Sequence, residues 1–384
     1  MSIPILNLQP QYQAIKEEIQ TAINRVLESG QFILGKEVAQ FETEVAKHLG
    51  VKYAVGVNSG TDALMIGLRA LGIGAGDEVI TTPFSFFATA ESISNVGAKP
   101  VFVDINPESF NLEPEAITQA INSSTKAIMP VHLYGNPAAM TAILEIAAKY
   151  NLKVIEDCAQ SFGAIYTGSC QGCNNICKEK LKKQIQGKYT GAIGDVGAFS
   201  FFPTKNLGAY GDGGLITTNN EQIAEQARIL RVHGAKNRYQ NEILGYNSRL
   251  DAIQAAILRV KLKYIKDWNR SRRQVAAAYN QFLKDIPEII TPILFEGHVF
   301  HQYTLRILNG KRDQVKQALA EQGIASMIYY PIPQDRLPVY LGQYPPNPIS
   351  NQLGQEVLSL PIWAELETET IKTIAQAIKS ALKS

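Results

Sequence analysis

The segment Lys153-Val-Ile-Glu-Asp-Cys-Ala-Gln-Ser161 places an acidic pair at the end of a short apolar run. An apolar run of this length, bounded by polar turns, predicts a strand that is buried on both faces. The same rhythm recurs on both sides of the segment, with further strands predicted at 53–57, 78–81, 100–103, 127–131, 197–202 and 214–218. Strands that alternate with helical patterns are typical of a parallel sheet covered by helices on both faces, so the sequence predicts an α/β fold.

The composition is that of a globular protein, with 384 residues of which 45% are hydrophobic and 19% are charged. This length predicts two domains, a large one over 1–250 and a smaller one over 251–384. The 37 basic and 35 acidic residues nearly balance, which argues against nucleic acid as a partner. We find no signal-peptide pattern and no apolar run of about 18 residues, so we expect a cytoplasmic protein without a membrane span.

Helical patterns surround the predicted strands. They lie at 12–27, 38–49 and 221–232 in the large domain. A longer pattern over 249–268 is expected to form one helix that links the two domains. The smaller domain is predicted to be α/β as well, with a strand at 303–308 and helices at 312–322 and 369–382.

Two polar features follow predicted strands, where open parallel sheets bind their ligands. Asn58-Ser-Gly-Thr-Asp-Ala-Leu opens a helix, and its free amides either hold an anion such as phosphate or form a capped helix start without a ligand. Asp157 ends its strand in apolar surroundings. It is a candidate metal ligand, helix cap or partner of a protonated heterocycle, and the absence of a neighbouring ligand cluster argues against a metal.

The third feature is Lys205, which follows an apolar run and precedes the glycines at 208, 211, 213 and 214. A lysine in a dry pocket loses its ammonium form more readily, and its amine can then form a Schiff base. A single lysine near glycines is commonly a surface residue. An anion-binding helix start (called the anion seat below), an aspartate and a lysine are together the minimum that binds pyridoxal phosphate (PLP), with the aspartate next to the pyridinium nitrogen.

Six blocks of the chain resemble the DegT/DnrJ/EryC1/StrS family of sugar aminotransferases, and the resemblance runs from Leu6 to the C-terminus. The blocks are Gly30-Gln-Phe-Ile-Leu-Gly, Ser59-Gly-Thr-Asp-Ala-Leu, Gly76-Asp-Glu-Val-Ile-Thr-Thr-Pro, Glu156-Asp-Cys-Ala-Gln-Ser, Ser200-Phe-Phe-Pro-Thr-Lys-Asn-Leu-Gly and Gly245-Tyr-Asn-Ser-Arg-Leu-Asp. The resemblance implies a fold-type I PLP enzyme, with a mainly parallel central sheet between helices and a smaller C-terminal α/β domain.

The resemblance also implies roles for individual residues. Lys205 would bind the cofactor and move the proton, and Asp157 would keep the pyridine nitrogen protonated. The other implied cofactor contacts are Gly60, Thr61 and Ser200 at the phosphate, Phe86 on the ring, Gln160 near the phenolic oxygen, and Asn247 from the neighbouring subunit. Arg249, His233 and Tyr329 would face the substrate, and Gln334 is a second position near Tyr329 where the family often has a histidine. A shared site of this kind implies a homodimer.

The implied reaction moves an amino group from L-glutamate, leaving 2-oxoglutarate, to a nucleotide-linked keto-sugar. Leu6-Asn-Leu-Gln and the block at Gly30 favour members that act on 3-keto sugars over those that act at C4. One alternative is a PLP-binding sugar dehydratase, although those relatives have histidine in place of Lys205. The other is a regulatory or binding homologue without catalysis, which would not need a Schiff-base lysine.

An excursion of about twenty residues, at 169–188, interrupts the family pattern and is interpreted as an insertion on the surface. It contains Cys170, Cys173 and Cys177, whose spacing is compatible with a metal or an iron–sulfur cluster but is one ligand short of a closed site. The alternative is a lysine-rich loop with reduced thiols, which we favour. Cys158 is expected to be a small buried residue beside Asp157 and not a fourth ligand.

Overall fold

The computed structural model describes residues 2–168, 179–237 and 239–383. In these residues the chain forms twelve strands and thirteen α-helices. The strands are β1 (Tyr53–Val57), β2 (Glu78–Thr81), β3 (Lys99–Phe102), β4 (Thr125–Ile128), β5 (Lys153–Asp157), β6 (Val196–Ser200), β7 (Gly214–Thr218), β8 (Ala235–Asn237), β9 (Gln240–Asn241), β10 (Ile289–Ile290), β11 (Tyr303–Ile307) and β12 (Val357–Leu360). The helices are α1 (Gln9–Ser29), α2 (Gly35–Leu49), α3 (Gly60–Ala70), α4 (Ala88–Asn95), α5 (Pro114–Ala120), α6 (Met140–Tyr150), α7 (Glu179–Ile185), α8 (Glu221–Leu230), α9 (Ala252–Leu262), α10 (Ile265–Leu283), α11 (Arg312–Glu321), α12 (Pro348–Glu356) and α13 (Thr368–Lys383).

A seven-stranded sheet in the order β1-β7-β6-β5-β4-β2-β3 forms the centre of the molecule. The predicted α/β fold is confirmed, with one difference: β7 runs antiparallel to both β1 and β6, while the other pairs are parallel. Because β7 alone is reversed, the carboxyl ends of the other strands and the start of β7 share one edge of the sheet. Parallel sheets bind ligands at this edge.

Helix α3 packs under the middle of the sheet, and its start is fixed by its own sequence. The Ser59 side chain accepts a hydrogen bond from the Asp62 amide at 3.1 Å, which caps the helix. Its apolar residues join the buried core of the sheet. Gly67 lets the helix approach closely, because a Cβ there would lie 3.0 Å from Val196 Cγ1 on β6. The first turn of α3 is therefore held at the ligand edge of the sheet.

The C-terminal part of the chain builds a second core around the three-stranded sheet β10-β11-β12, with α10, α11 and α13 against it. The N-terminal residues Ile3 and Leu6 also pack on this core. Helix α9 instead packs on α1 with a separate buried cluster that includes Ile19 and Ala256. The domain boundary after residue 250 stays a prediction.

Two expectations differ from the structure. The pattern at 249–268 does not form one linking helix, because α9 ends at Leu262 and α10 begins at Ile265, with a turn at Lys263 and Tyr264 between them. The excursion at 169–188 includes helix α7, whose Ile185 is buried against the core near β4 and β5. Cys170, Cys173 and Cys177 lie outside the described residues. Among the described helices, none combines the length and the apolar character that a membrane crossing requires.

The end of β5 is fixed by a carboxylate inside the protein. Glu156 is fully buried, and its two oxygens accept hydrogen bonds from the backbone amides of Gly191, Ile193 and Gly194 at 2.7 to 2.9 Å. His132 Nε2 lies 3.0 Å from the same carboxylate and carries a proton, because its Nδ1 accepts from the Ala138 amide. Glu156 thus joins β5 to the loop after β4 and to the turn before β6.

We expect Glu156→Gln to destabilise the protein by about 3 kcal/mol, because either orientation of the new amide points an NH₂ group at two N–H donors. Urea unfolding measures the loss. The matched control is Asp267→Asn, since Asp267 pairs with Arg270 at 2.7 Å on an exposed helix surface and its change should cost less than about 1 kcal/mol. Equal losses in the two variants would contradict the structural role of Glu156.

Candidate active site

A cavity of about 610 Å³ lies at the ligand edge of the large sheet. Eight of the residues singled out in the sequence line it: Gly60, Thr61, Phe86, Asp157, Gln160, Ser200, Lys205 and Tyr329. They come from the ends of β1, β2, β5 and β6 and from the segment that precedes α12. Residues more than 260 positions apart in the chain therefore meet at one site.

Lys205 stands in a tight turn after β6. The Lys205 amide donates to the Phe202 carbonyl at 2.9 Å, and Ala209 closes the turn by donating to Phe201 at 2.7 Å. Gly208 is required because a Cβ there would lie 2.4 Å from the Pro203 oxygen. The Lys205 side chain enters the cavity, where burial lowers its pKa from 10.5 to about 8 in spite of the opposing charge of Asp157. A larger fraction of neutral amine is thus available near neutral pH than for a lysine in water.

Asp157 is buried at the end of β5, and its carboxylate is held by two donors. Thr89 Oγ1 donates to Oδ2 at 2.9 Å, and the Ala159 amide donates to Oδ1 at 3.1 Å. Burial raises the pKa of Asp157, while these hydrogen bonds and the positive charge of Lys205 oppose the rise. A buried carboxylate of this kind is stabilised by a cationic group that enters the cavity.

The anion seat combines the start of α3 with the end of β6. Gly60 approaches Ser200 so closely that a Cβ at Gly60 would lie 2.6 Å from the Ser200 Cβ. Gly214 is equally close to this turn, because a Cβ there would lie 2.1 Å from the Ser59 oxygen. The free amides of the first helical turn and the Ser200 hydroxyl line the cavity, which is the arrangement that binds phosphate at a helix N-terminus.

Aromatic side chains form the outer wall. Phe86 is 61% exposed and is not a core residue; its ring lies 6.4 Å from that of Tyr330. Gln160 is fixed between two tyrosines, because its Oε1 accepts from the Tyr134 amide at 2.6 Å and its Nε2 donates to the Tyr330 hydroxyl at 3.2 Å. The Tyr134 hydroxyl in turn donates to the Tyr329 carbonyl. Tyr329 and Tyr330 are thereby held over the cavity.

Gln334 is not placed to touch a substrate. It is 1% exposed, and its backbone amide donates to the Pro83 carbonyl at 2.8 Å. Its side-chain amide donates to the Phe86 carbonyl at 3.2 Å. Gln334 lies in the C-terminal part of the chain and therefore holds, from there, the turn that contains Phe86.

Three of the predicted site residues lie away from this cavity in the same chain. Val232 pairs with Asn247, which is exposed, and Arg249 lies two residues further along. His233 is also exposed, and its backbone amide donates to Tyr246 at 2.8 Å. The structure does not bring these three together with Lys205 within one chain.

Sequence reasoning missed several residues that line the cavity: Thr89, Asp212, His301, Gln302 and Tyr330. Thr89 could have been found from its position three residues after Phe86, on the helix that follows β2. Tyr330 adjoins Tyr329 in the same motif. His301 has no local signal, because it precedes β11 in a part of the chain without a recognisable motif.

One cluster has the residue types of a metal site. Ligand atoms of His132, Glu156 and Cys158 lie within 4.8 Å of one another in the described part of the chain. The donor set does not suit a cation, because both oxygens of Glu156 and both nitrogens of His132 are already engaged in hydrogen bonds. Burial also raises the pKa of the Cys158 thiol well above its usual range, which disfavours the thiolate that binds metals. The cluster is structural.

Comparison with known proteins agrees with this geometry. The model of the DegT/DnrJ/EryC1/StrS aminotransferase family matches residues 13–379. A UDP-N-acetyl-3-dehydro-alpha-D-glucosamine 3-aminotransferase of Acidithiobacillus ferrooxidans is 44% identical, over 99% of this chain and 98% of that protein. A pleiotropic regulatory protein of Geobacillus stearothermophilus is 45% identical, over 98% of each chain.

A solved structure is also similar to this chain over its whole length. The crystal structure of DesV from S. venezuelae in complex with a ketimine intermediate superposes with a TM-score of 0.91 at 38% identity, covering 100% of this chain and 99% of that one. The family match spans nearly the whole chain, and the relatives are similar from end to end. The chain belongs to the DegT/DnrJ/EryC1/StrS aminotransferase family.

Proposed function

We propose that the chain is a PLP-dependent aminotransferase that moves an amino group from L-glutamate to a nucleotide-linked 3-keto sugar. The observation that carries the proposal is the pairing of Lys205 and Asp157 in one cavity beside a helix N-terminus. A nucleophilic amine, a buried carboxylate and an anion seat are the three groups that PLP requires of a protein.

The residues present fit this cofactor. The glycines at 60 and 214 leave a space beside the free amides of α3, and a side chain at either position would fill it. There the α3 amides, Thr61 and Ser200 would hold the phosphate, Asp157 the pyridinium nitrogen, Gln160 the phenolic oxygen and Phe86 the ring face. When bound, the cofactor supplies a ring that accepts electrons from the substrate carbon.

The protein's own groups would supply the remaining chemistry. Lys205 would hold the cofactor through its amine, and the same amine, when free, would hold the proton that moves between donor and acceptor. Its depressed pKa suits both tasks, because the amine must be neutral to accept a proton near neutral pH. Asp157 would stay charged opposite the protonated pyridine nitrogen of the cofactor. The aromatic wall would border the reacting atoms on the outer side of the cavity.

The substrate class is supported by the relatives. The Acidithiobacillus protein is named for amino transfer at the 3-position of a UDP-linked sugar. The regulatory name of the Geobacillus protein raises the alternative of a homologue without catalysis. The presence of Lys205 and Asp157 in one cavity favours an enzyme, and Lys205 also argues against a PLP-dependent sugar dehydratase.

A second copy of the chain would complete the site. Among the described residues that line the cavity, Lys205 is the only cationic side chain, yet the cofactor phosphate and a nucleotide diphosphate are both anionic. Asn247 and Arg249 lie outside the cavity of their own chain, and exposed apolar side chains such as Phe32, Ile33 and Leu244 offer surface for a partner. We propose a homodimer in which Asn247 and Arg249 of the partner subunit reach the site.

The first prediction from the proposed function concerns Lys205. Protein treated with PLP and reduced with borohydride should carry the label on Lys205 in peptide mapping, and Lys205→Ala should lose the label and lower turnover at least about 10³-fold. Lys261 is the internal control, because burial lowers its pKa to about 8 as well, but it does not line the cavity. Equal labelling of both lysines would contradict the assignment.

The second prediction concerns the shared site. Lys205→Ala and Arg249→Ala should each have little activity, and an equimolar mixture after subunit exchange should recover about a quarter of the wild-type rate, because half of the dimers then contain one intact site. The matched control mixes Lys205→Ala with Asp157→Asn, which damages both sites of every mixed dimer. Recovery no greater than in this control would place Arg249 elsewhere.

The third prediction concerns the substrate. With L-glutamate, nucleotide-linked 3-keto sugars should release 2-oxoglutarate at least about tenfold faster than their 4-keto isomers, since one misplaced hydroxyl or carbonyl leaves buried polar groups unpaired. The release of 2-oxoglutarate is followed with a coupled dehydrogenase, and product analysis locates the new amine. Faster turnover of the 4-keto sugars would refute the 3-keto assignment and leave the aminotransferase class intact.

A further inference from the structure

The residue after the lysine holds a histidine in one tautomer. Asn206 is buried, and its Nδ2 donates to the Val299 carbonyl at 3.1 Å and to Asn269 Oδ1 at 2.8 Å. Asn269 has the same fixed orientation, because its own Nδ2 donates to the Phe162 carbonyl at 3.0 Å. A carbonyl can only accept, so Oδ1 of Asn206 must face His301 Nδ1, which lies 3.1 Å away. His301 Nδ1 therefore carries the proton.

The other ring nitrogen of His301 is a free acceptor. His301 lines the cavity together with Lys205, and no hydrogen bond from the described residues reaches its Nε2. Burial and the nearby charges of Lys205 and Arg272 keep the pKa of His301 well below its usual range, so the ring stays neutral. Arg272 also anchors the backbone here, because its guanidinium donates to the carbonyls of Phe300 and His301 at 3.2 and 3.3 Å.

We propose that His301 is a positioning residue whose unprotonated Nε2 accepts a hydrogen bond from the Lys205 side chain when that side chain is protonated and free of the cofactor. The proposal rests on the proposed function, since the lysine is freed only in an enzyme whose amino donor displaces it from the cofactor. Asn206 couples the two residues, because it follows Lys205 in the chain and fixes the ring of His301. His301 thereby orients the Lys205 amine during proton transfer.

A hydrogen bond from Lys205 to His301 would affect the pKa of Lys205. An acceptor near an ammonium group stabilises the charged form, so loss of the acceptor should lower the pKa of the lysine further. The other charged or titratable groups around the pair are Asp157 on β5, Asp212 before β7, Arg272 on α10, and Tyr329 and Tyr330 above the cavity. They are unchanged in a His301 variant, so a shift reports the loss of Nε2.

The test uses His301→Phe, which removes the acceptor and keeps a flat ring. In the cofactor-free protein, the rate of PLP capture should rise with pH for both forms, with a midpoint roughly one pH unit lower for the variant than for the wild type. In the loaded enzyme, kcat should fall roughly tenfold while the KM for glutamate stays within about twofold. His301→Gln, whose amide oxygen can take the place of Nε2, should recover most of both losses.

The matched control is His298→Phe. His298 is also buried and lies three residues earlier in the same segment, but it does not line the cavity, and its Nδ1 has no hydrogen-bond partner in the described residues. Its variant should keep the wild-type midpoint and kcat. The proposal is overturned if His301→Phe behaves like the wild type, if His298→Phe shows the same losses, or if His301→Gln recovers nothing. A wild-type protein that captures no PLP would instead refute the proposed function.

Discussion

The buried carboxylate of Glu156 is the constraint on which the site depends. It lies next to Asp157 and gathers three backbone amides from residues 191–194 and the ring of His132 around the end of β5. A carboxylate without these donors would be costly inside the protein, so the loops that supply them have little freedom. The position of Asp157 is restricted as well, because it is the next residue of the same strand.

The same constraint acts on the chain between Asp157 and Lys205, where an insertion is predicted. After α7 the chain returns to the sheet through the turn that Glu156 holds, and Ile185 of α7 packs into the core just before that turn. The strands on either side therefore keep their register, with Asp157 opposite Ala198. The turn held by Glu156 thus ends just before the sheet resumes at Val196.

The sequence predicted the strands well and their direction less well. Buried strands require dense apolar runs, which is why Tyr53–Val57, Glu78–Thr81 and Gly214–Thr218 were located correctly. No periodicity encodes strand direction, and β7 was not recognised as reversed. The linking helix was overestimated because apolar spacing continues through the turn at Lys263. Lys205 and Asp157 carried visible motifs, whereas Thr89 and His301 contribute through tertiary placement that no local pattern shows.

The contact between Gln334 and Phe86 affects the order in which the protein folds during its synthesis on the ribosome. The two residues are separated by 248 positions, and the wall they form also needs Tyr329 and Tyr330. The central sheet can assemble from earlier parts of the nascent chain, but closing so long a loop must wait until its second end has been synthesised. The cavity is therefore among the last features to form, and a chain truncated before Gln334 would contain the lysine without a closed pocket around it.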